Sequence, residues 1–235
     1  MFGDALRFPL AGDDGVRSII IGGILSFLSF LIVPIFPVLG YYLRAAEAGA
    51  MGADAAPPFD DWDELLVDGV KVLVVGVGYF LIPLAAFIGA TAIVGIGAVA
   101  VGQGAESPAS AMTGVGVVGG ILFLLAAVLS LVATYVFPAG LVALAREGDI
   151  AAALDTERVL GAAFSADYFV AGLLAVVLSL VAGVVTFVLT AVTFGLFALL
   201  GVFFQFYVQV AFFYLFGRGY GKALGLSTRR SNNRA

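Results

Sequence analysis

A chain of 235 residues that is 62% hydrophobic and only 11% charged, with a mean hydropathy of +1.14, falls outside the range of soluble domains, where charged residues approach a quarter. Eleven basic against sixteen acidic residues give a formal charge of −5, and the lysine-poor, acid-rich balance is the composition expected of a salt-in halophile, because molar salt shortens the Debye length to about 3 Å and crowded carboxylates then repel weakly. With no cysteine and no histidine, disulfides, thiolate chemistry and the commonest general base and metal ligand are missing, which removes most enzyme classes.

The pattern predicts an all-α, polytopic transmembrane bundle of about five spans, folded as a single membrane domain over residues 1-226. Phe2, Leu6 and Phe8 among Asp4 and Arg7 read as an interfacial helix over about 2-9 rather than a secretory signal, and Gly12-Asp13-Asp14-Gly15 as a turn. The first span, 19-43, has no charge until Arg44 and is broken by Pro34 and Pro37. A re-entrant hairpin turning at those prolines is the alternative, although 25 residues cannot make two full crossings.

Charge and aromatic surface concentrate next, in Pro58-Phe59-Asp60-Asp61-Trp62-Asp63-Glu64-Leu65-Leu66. Spacings of three and four place Phe59, Trp62, Leu65 and Leu66 on one face of a surface helix over 59-68, with Asp60, Asp61, Asp63, Glu64 and Asp68 around the other and Asp60 as its N-cap. The second span, 70-101, contains Pro83 and would be roughly 48 Å long, so it must tilt or fray. A loop carrying Glu106 leads to the third span, 117-144, kinked near Pro138. Residues 149-165 read as another interfacial helix. The charge-free run from Tyr168 to Phe216 makes two spans, 168-190 and 195-216, joined by a tight turn at 190–195. Residues 227-235, with Arg229, Arg230 and Arg234, are expected to be a disordered basic tail.

Lysine and arginine fall in the 44–71 and 146–167 connections and at the C-terminus, which predicts a multi-pass protein of the cell membrane with those segments and the C-terminus cytoplasmic. A faint repetition accompanies this: three times, beginning near Phe2, Phe59 and Ile150, an amphipathic segment precedes a hydrophobic unit, the units closing on Arg44, Arg146 and Gly217-Arg218-Gly219-Tyr220.

Several of these blocks together carry a resemblance. Phe8-Pro9 with Gly12-Asp13-Asp14, Pro37…Gly40-Tyr41…Arg44, Pro58-Phe59-Asp60-Asp61-Trp62…Asp68-Gly69-Val70-Lys71, Ala145-Arg146-Glu147-Gly148 and Tyr214-Leu215-Phe216-Gly217-Arg218-Gly219 resemble the domain-of-unknown-function 4013 family of archaeal, chiefly haloarchaeal, membrane proteins. The resemblance covers nearly the whole chain and implies membrane topology and source; the family has no established activity, so no site residue is carried over.

Read for chemistry, the acids of the 59-68 segment favour a solvated helix face over a Mg²⁺ or Ca²⁺ site, since calcium loops alternate their ligands around a glycine turn. Trp62 is expected to anchor at the interface. Gln205 and Gln209, four apart in the last span with Tyr207 between them, form the strongest polar group at membrane depth, and amides there usually bond a neighbouring helix. Thr186, Thr190 and Thr193 are expected to bond backbone carbonyls.

No charge lies inside the core of a predicted span, which argues against an ion-coupled transporter. The leading expectation is therefore a non-enzymatic scaffold or accessory subunit, with no cofactor and no metal, docking a partner through Phe59, Asp60, Asp61, Trp62, Leu65 and Leu66. Membrane lipids and a protein partner or second copy are the expected partners, and nucleic acid is not. The alternative is a channel or facilitator for a small neutral or lipidic solute, with Gln205 and Gln209 as polar contacts. A lipid-acting metalloenzyme ranks third, requiring Asp60, Asp61 or Asp63 to converge with Asp155 or Glu157.

Overall fold

The computed structural model describes residues 1–102 and 108–226. Every element among them is helical: α1 (Phe2–Arg7), followed by a 3-10 turn at Phe8–Leu10, then α2 (Gly15–Phe27), α3 (Ile35–Ala50), α4 (Trp62–Gly102), α5 (Pro108–Glu147), α6 (Ile150–Leu154), α7 (Thr156–Ala163), α8 (Ala166–Val192) and α9 (Phe197–Ala223). The Glu106 loop and the basic tail 227-235 lie outside the described residues. Two compact units emerge, Met1–Val75 with the segment from Pro138 onward, and Gly76–Phe137, where the sequence pattern predicts one domain.

Four helices are long and apolar enough to cross a membrane: Trp62–Val99, Thr113–Glu147, Ala166–Val192 and Phe197–Ala223. The segment expected as a span over 19-43 is two helices instead. Leu28–Leu31 tightens into a 3-10 turn, and the Val33 N–H donates to the Leu31 carbonyl at 2.8 Å around Ile32, whose φ of 69° makes a γ-turn. Pro34, which has no N–H, follows at once, whereas Pro37 sits in the first turn of α3, where a missing donor costs nothing. A fifth candidate span, Phe2–Leu10 with Gly15–Leu31, is bent by 81°.

The surface helix expected over 59-68 does not exist separately. Trp62 opens α4, which runs without a break through Pro83 to Gly102, roughly 60 Å at about 1.5 Å per residue. A change from charged to apolar side chains breaks no backbone hydrogen bond, so composition changes where the helix does not. Asp61, not Asp60, precedes the first turn, its carbonyl accepting from the Leu65 N–H at 2.9 Å. The interfacial helix over 149-165 divides in two: Asp155 adopts extended backbone and its carboxylate accepts from the Arg158 N–H, so it ends α6 and caps α7. The α8–α9 turn falls at Thr193–Leu196, overlapping the end of the expected 190–195 but leaving 190–192 in α8, with Gly195 at φ 90° and the Thr193 hydroxyl accepting from the Phe197 N–H.

In the first unit α9 is the central helix. Gly49 lies against Tyr214, Ala46 against Gly217 and Ala50 against Gly221, so α3 and α9 run in the same direction. Phe8 stacks on Tyr214 at 4.0 Å between ring centres, Gly22 receives the Phe206 ring and Gly23 the Phe203 ring, so α2 runs the opposite way. The run 19-43 is thus the tip and inner parts of an α2–α3 hairpin packed on α9. In the second unit, α4 and α5 contact each other through Gly97 and Val115, Val94 and Gly119, and the Phe87 and Phe123 rings 5.3 Å apart.

The α3–α9 contact leaves no space for side chains. A Cβ at Gly217 would stand 2.0 Å from the Ala46 carbonyl oxygen, one at Gly221 2.2 Å from that of Ala50, and one at Gly49 2.3 Å from that of Tyr214. Gly183 on α8 has nothing within 4 Å of the same position. Gly217→Ala is therefore expected to lower stability by roughly 1–3 kcal/mol through overpacking, seen as an earlier thermal transition in detergent, while Gly183→Ala leaves the transition unchanged or raises it.

Candidate functional site

Two polar regions are built in the first unit. One lies at the charged end, where α3 meets the start of α4. Arg44 is 17% exposed and reaches three carboxylates: Glu64 at 3.2 Å, Asp60 at 3.7 Å and Asp68 at 4.0 Å. Asp68 also holds Lys71 at 3.6 Å. Beneath this clip the Phe59 ring stacks on Tyr41 at 4.7 Å, and the Tyr41 hydroxyl donates to the Pro57 carbonyl. Phe59 and Leu65 are buried, whereas Trp62 is 46% exposed and Leu66 faces outward with it. The four apolar residues therefore do not share one docking face, because Phe59 precedes the helix and its ring turns in on Tyr41. Three of the five acids serve Arg44; Asp155 caps α7, and among the described residues no three carboxylates are placed to hold a metal ion.

Glu47, one turn beyond Arg44 and half-buried, has its carboxyl pushed above the ordinary range, chiefly by burial and then by the Asp68 charge, with Arg146 and Arg44 opposing. Asp4 is held below the ordinary range, mainly by the terminal ammonium 2.9 Å away and to a lesser degree by Arg218.

The second region is a groove of about 520 Å³ between the α2–α3 hairpin and the α8–α9 pair, within the range of about 300–1,000 Å³ typical of small-ligand sites. Its polar lining is Ser26, Tyr42, Thr186, Thr190, Gln205 and Gln209, and no charged residue contributes. Gln205 and Gln209 stand roughly 12 and 18 Å along α9 from Phe197, halfway along its apolar run. Both amides are brought together as the spacing predicts, but neither has a hydrogen-bond partner among the described residues. Tyr207 points elsewhere, its hydroxyl donating to the Leu6 carbonyl.

The hydroxyls divide in an informative way. Those of Ser29, Thr91, Ser130, Thr134, Ser179 and Thr193 each donate to the carbonyl four residues back. Thr186 Oγ1 is buried and makes no hydrogen bond among the described residues, Ser26 Oγ is buried with only the Tyr42 hydroxyl beside it, and both line the groove; the expected carbonyl bond of Thr186 is absent. Ser18 Oγ, also buried and with only the Tyr41 hydroxyl beside it, lies outside the groove. Ser26 and Tyr42 were not legible as partners of the two glutamines, since only the α2–α3 reversal carries them to α9.

Four long apolar helices, a broken hairpin and a charged end define the chain as a multi-pass, all-helical membrane protein. Residues 24–191, more than half of it, match the family described as "Protein of unknown function (DUF4013)", and the chain belongs to that family. No curated protein and no solved structure matches it.

Replacing Arg44 by Met strands Asp60, Glu64 and Asp68 beside one another without their cation. The variant is expected to melt earlier at low ionic strength and to recover most of the difference in molar salt, where screening shortens the reach of repulsion to about 3 Å. Because the folded state raises the Glu47 pKa, it binds that proton more tightly than the unfolded chain, and stability falls as pH rises from 4.5 through the raised value. Glu47→Gln is expected to stabilise at pH 7, with the gain shrinking as pH falls through that window; melting curves across pH read both.

Proposed function

We propose that this is a non-enzymatic membrane protein that holds a small neutral or lipidic molecule in the groove between the α2–α3 hairpin and α8–α9. The observation that carries the reading is the convergence of six uncharged polar side chains halfway along the apolar run of α9, among them the buried Thr186 hydroxyl without a partner and two glutamine amides that no described residue answers. Bare amides and hydroxyls in hydrocarbon are costly, at several kcal/mol for an unsatisfied group, and a bound molecule with its own donors or acceptors removes that cost. Close packing of α3 on α9 toward Gly221 favours holding over through-passage on that side. The charged end, with Arg44, Lys71, Arg146, Arg218 and Lys222, is assigned to the cytoplasm by its positive charge. The acid-rich, lysine-poor composition supports a high-salt setting.

A second reading, the scaffold that docks a partner at the start of α4, is favoured by one observation: Trp62 and Leu66 face outward beside Asp61 and Asp63, which make no ion pair among those of the described residues. Purification in mild detergent at high salt, with organic extraction and mass spectrometry, separates the two. The holding reading expects a near-stoichiometric neutral molecule that is lost from the Gln205→Leu/Gln209→Leu double variant. A protein recovered with no such molecule, but with a stoichiometric protein partner that disappears on Trp62→Ala, would replace it with the scaffold.

A further inference from the structure

We infer that the molecule held in the groove is a lipid quinone: a long-chain lipid whose head is a flat, uncharged, carbonyl-bearing ring. This rests on the holding reading above and specifies its ligand. Four features of the site select that chemistry. First, no arginine, lysine, aspartate or glutamate lines the groove, so nothing is present to match a phosphate or ammonium headgroup. Second, the polar groups sit halfway along the apolar run of α9, a depth that charged lipid heads avoid and an uncharged ring on a hydrocarbon tail can occupy.

Third, the unmet valences include donors. Thr186 Oγ1 carries an O–H with no acceptor and Ser26 Oγ meets only the Tyr42 hydroxyl, although six other described hydroxyls satisfy themselves on their own helix. Gln205 and Gln209 add amide N–H groups. A ligand that answers Thr186 and the two glutamine amides must offer acceptors, and two carbonyls on opposite edges of one ring can each accept from a different wall, the Ser26–Tyr42 hydroxyl pair on α2 and α3 and Thr186 with the glutamines on α8 and α9. Fourth, part of the wall is aromatic: the half-buried Tyr42 ring, backed 5.6 Å away by the buried Phe206 ring, lines the groove and offers a flat ring an aromatic contact. The groove opens on the outer face of the helices, where Gln205 is exposed, so a hydrocarbon tail can trail into the bilayer.

The test uses the single tryptophan of the chain. The Trp62 ring is 5.3 Å from Phe59, and Phe59 is 6.4 Å from Phe206 in the groove wall, so a quinone bound there lies close enough to quench Trp62 emission. The full chain in lipid nanodiscs is titrated with a one-prenyl naphthoquinone. Saturable quenching is expected, with a Kd raised about tenfold or more in Gln205→Leu/Gln209→Leu and raised severalfold in the nearly isosteric Thr186→Val, in line with the loss of one or two membrane hydrogen bonds. Unchanged melting curves establish that both variants fold. Quenching that rises linearly without saturation, equally in wild type and variants, overturns the inference. If diacylglycerol is then retained by the wild type and lost from the double variant, the holding reading survives and only the quinone falls; if neither binds, both fall.

Discussion

The contact on which the rest of the first unit depends is the approach of α3 to α9 without side chains between them. Glycines at 49, 217 and 221 bring backbone hydrogens against carbonyl oxygens of the opposite helix, at positions where a Cβ would stand 2.0–2.3 Å from oxygen. In hydrocarbon, helices gain nothing from burying apolar surface, since lipid tails are equally apolar, and association relies on dispersion and weak polar contacts that reward closeness. Once the two helices are locked in parallel at this end, α2 must return along α9 in the opposite sense. The Phe206 ring then fills the space over Gly22, and Tyr42 and Ser26 arrive beside Gln205 and Gln209. The groove is a consequence of that lock.

The charged end shows a second kind of order, tied to the threefold repetition in the chain. Each amphipathic segment exchanges charge with a different repeat. Arg44, closing the first, binds Asp60, Glu64 and Asp68 of the second. Glu147, closing the second, pairs with Arg158 of the third. Arg218, closing the third, reaches Asp4 of the first at 3.8 Å and lies over the Tyr214 ring. Exposed ion pairs of this sort are individually worth little, on the order of 0–1 kcal/mol, so they select which segment sits beside which more than they hold the unit together. This explains why the most conspicuous acids in the sequence are largely occupied within the chain.

The groove differs from both in being unsatisfied. Hydroxyls elsewhere turn back on their own helices, an arrangement available to any serine or threonine on a helix. At Ser26 and Thr186 that bond is not made, Ser26 meeting only the Tyr42 hydroxyl, and at Gln205 and Gln209 no described residue answers the amides. The γ-turn at Ile32, with a β-branched residue at φ 69°, sits at the tip of the hairpin that supplies one wall. Such backbone costs on the order of 1–3 kcal/mol and persists only where packing imposes it. Here the imposition is the reversal needed to seat both arms of the hairpin on α9.

Composition alone determined that the chain is helical and membrane-embedded, because without water every backbone group must be bonded within its own helix, and hydropathy over about 20 residues reports that directly. The four long helices, the turn near Thr193 and the pairing of Gln205 with Gln209 on one face follow from local pattern in the same way. Local pattern could not separate a broken span from a hairpin over 19-43: both are apolar runs interrupted by proline, and the choice was made by glycines 22, 23, 49, 217 and 221, whose partners are over 160 residues away in sequence. Nor could it show that 59-68 belongs to α4, since charge marks the solvent boundary and not the end of a helix. Tertiary structure alone decided that Phe59 turns inward onto Tyr41, that Arg44 gathers the acids, and that Ser26, Tyr42 and Thr186 join the two glutamines, because each depends on which distant backbones can touch.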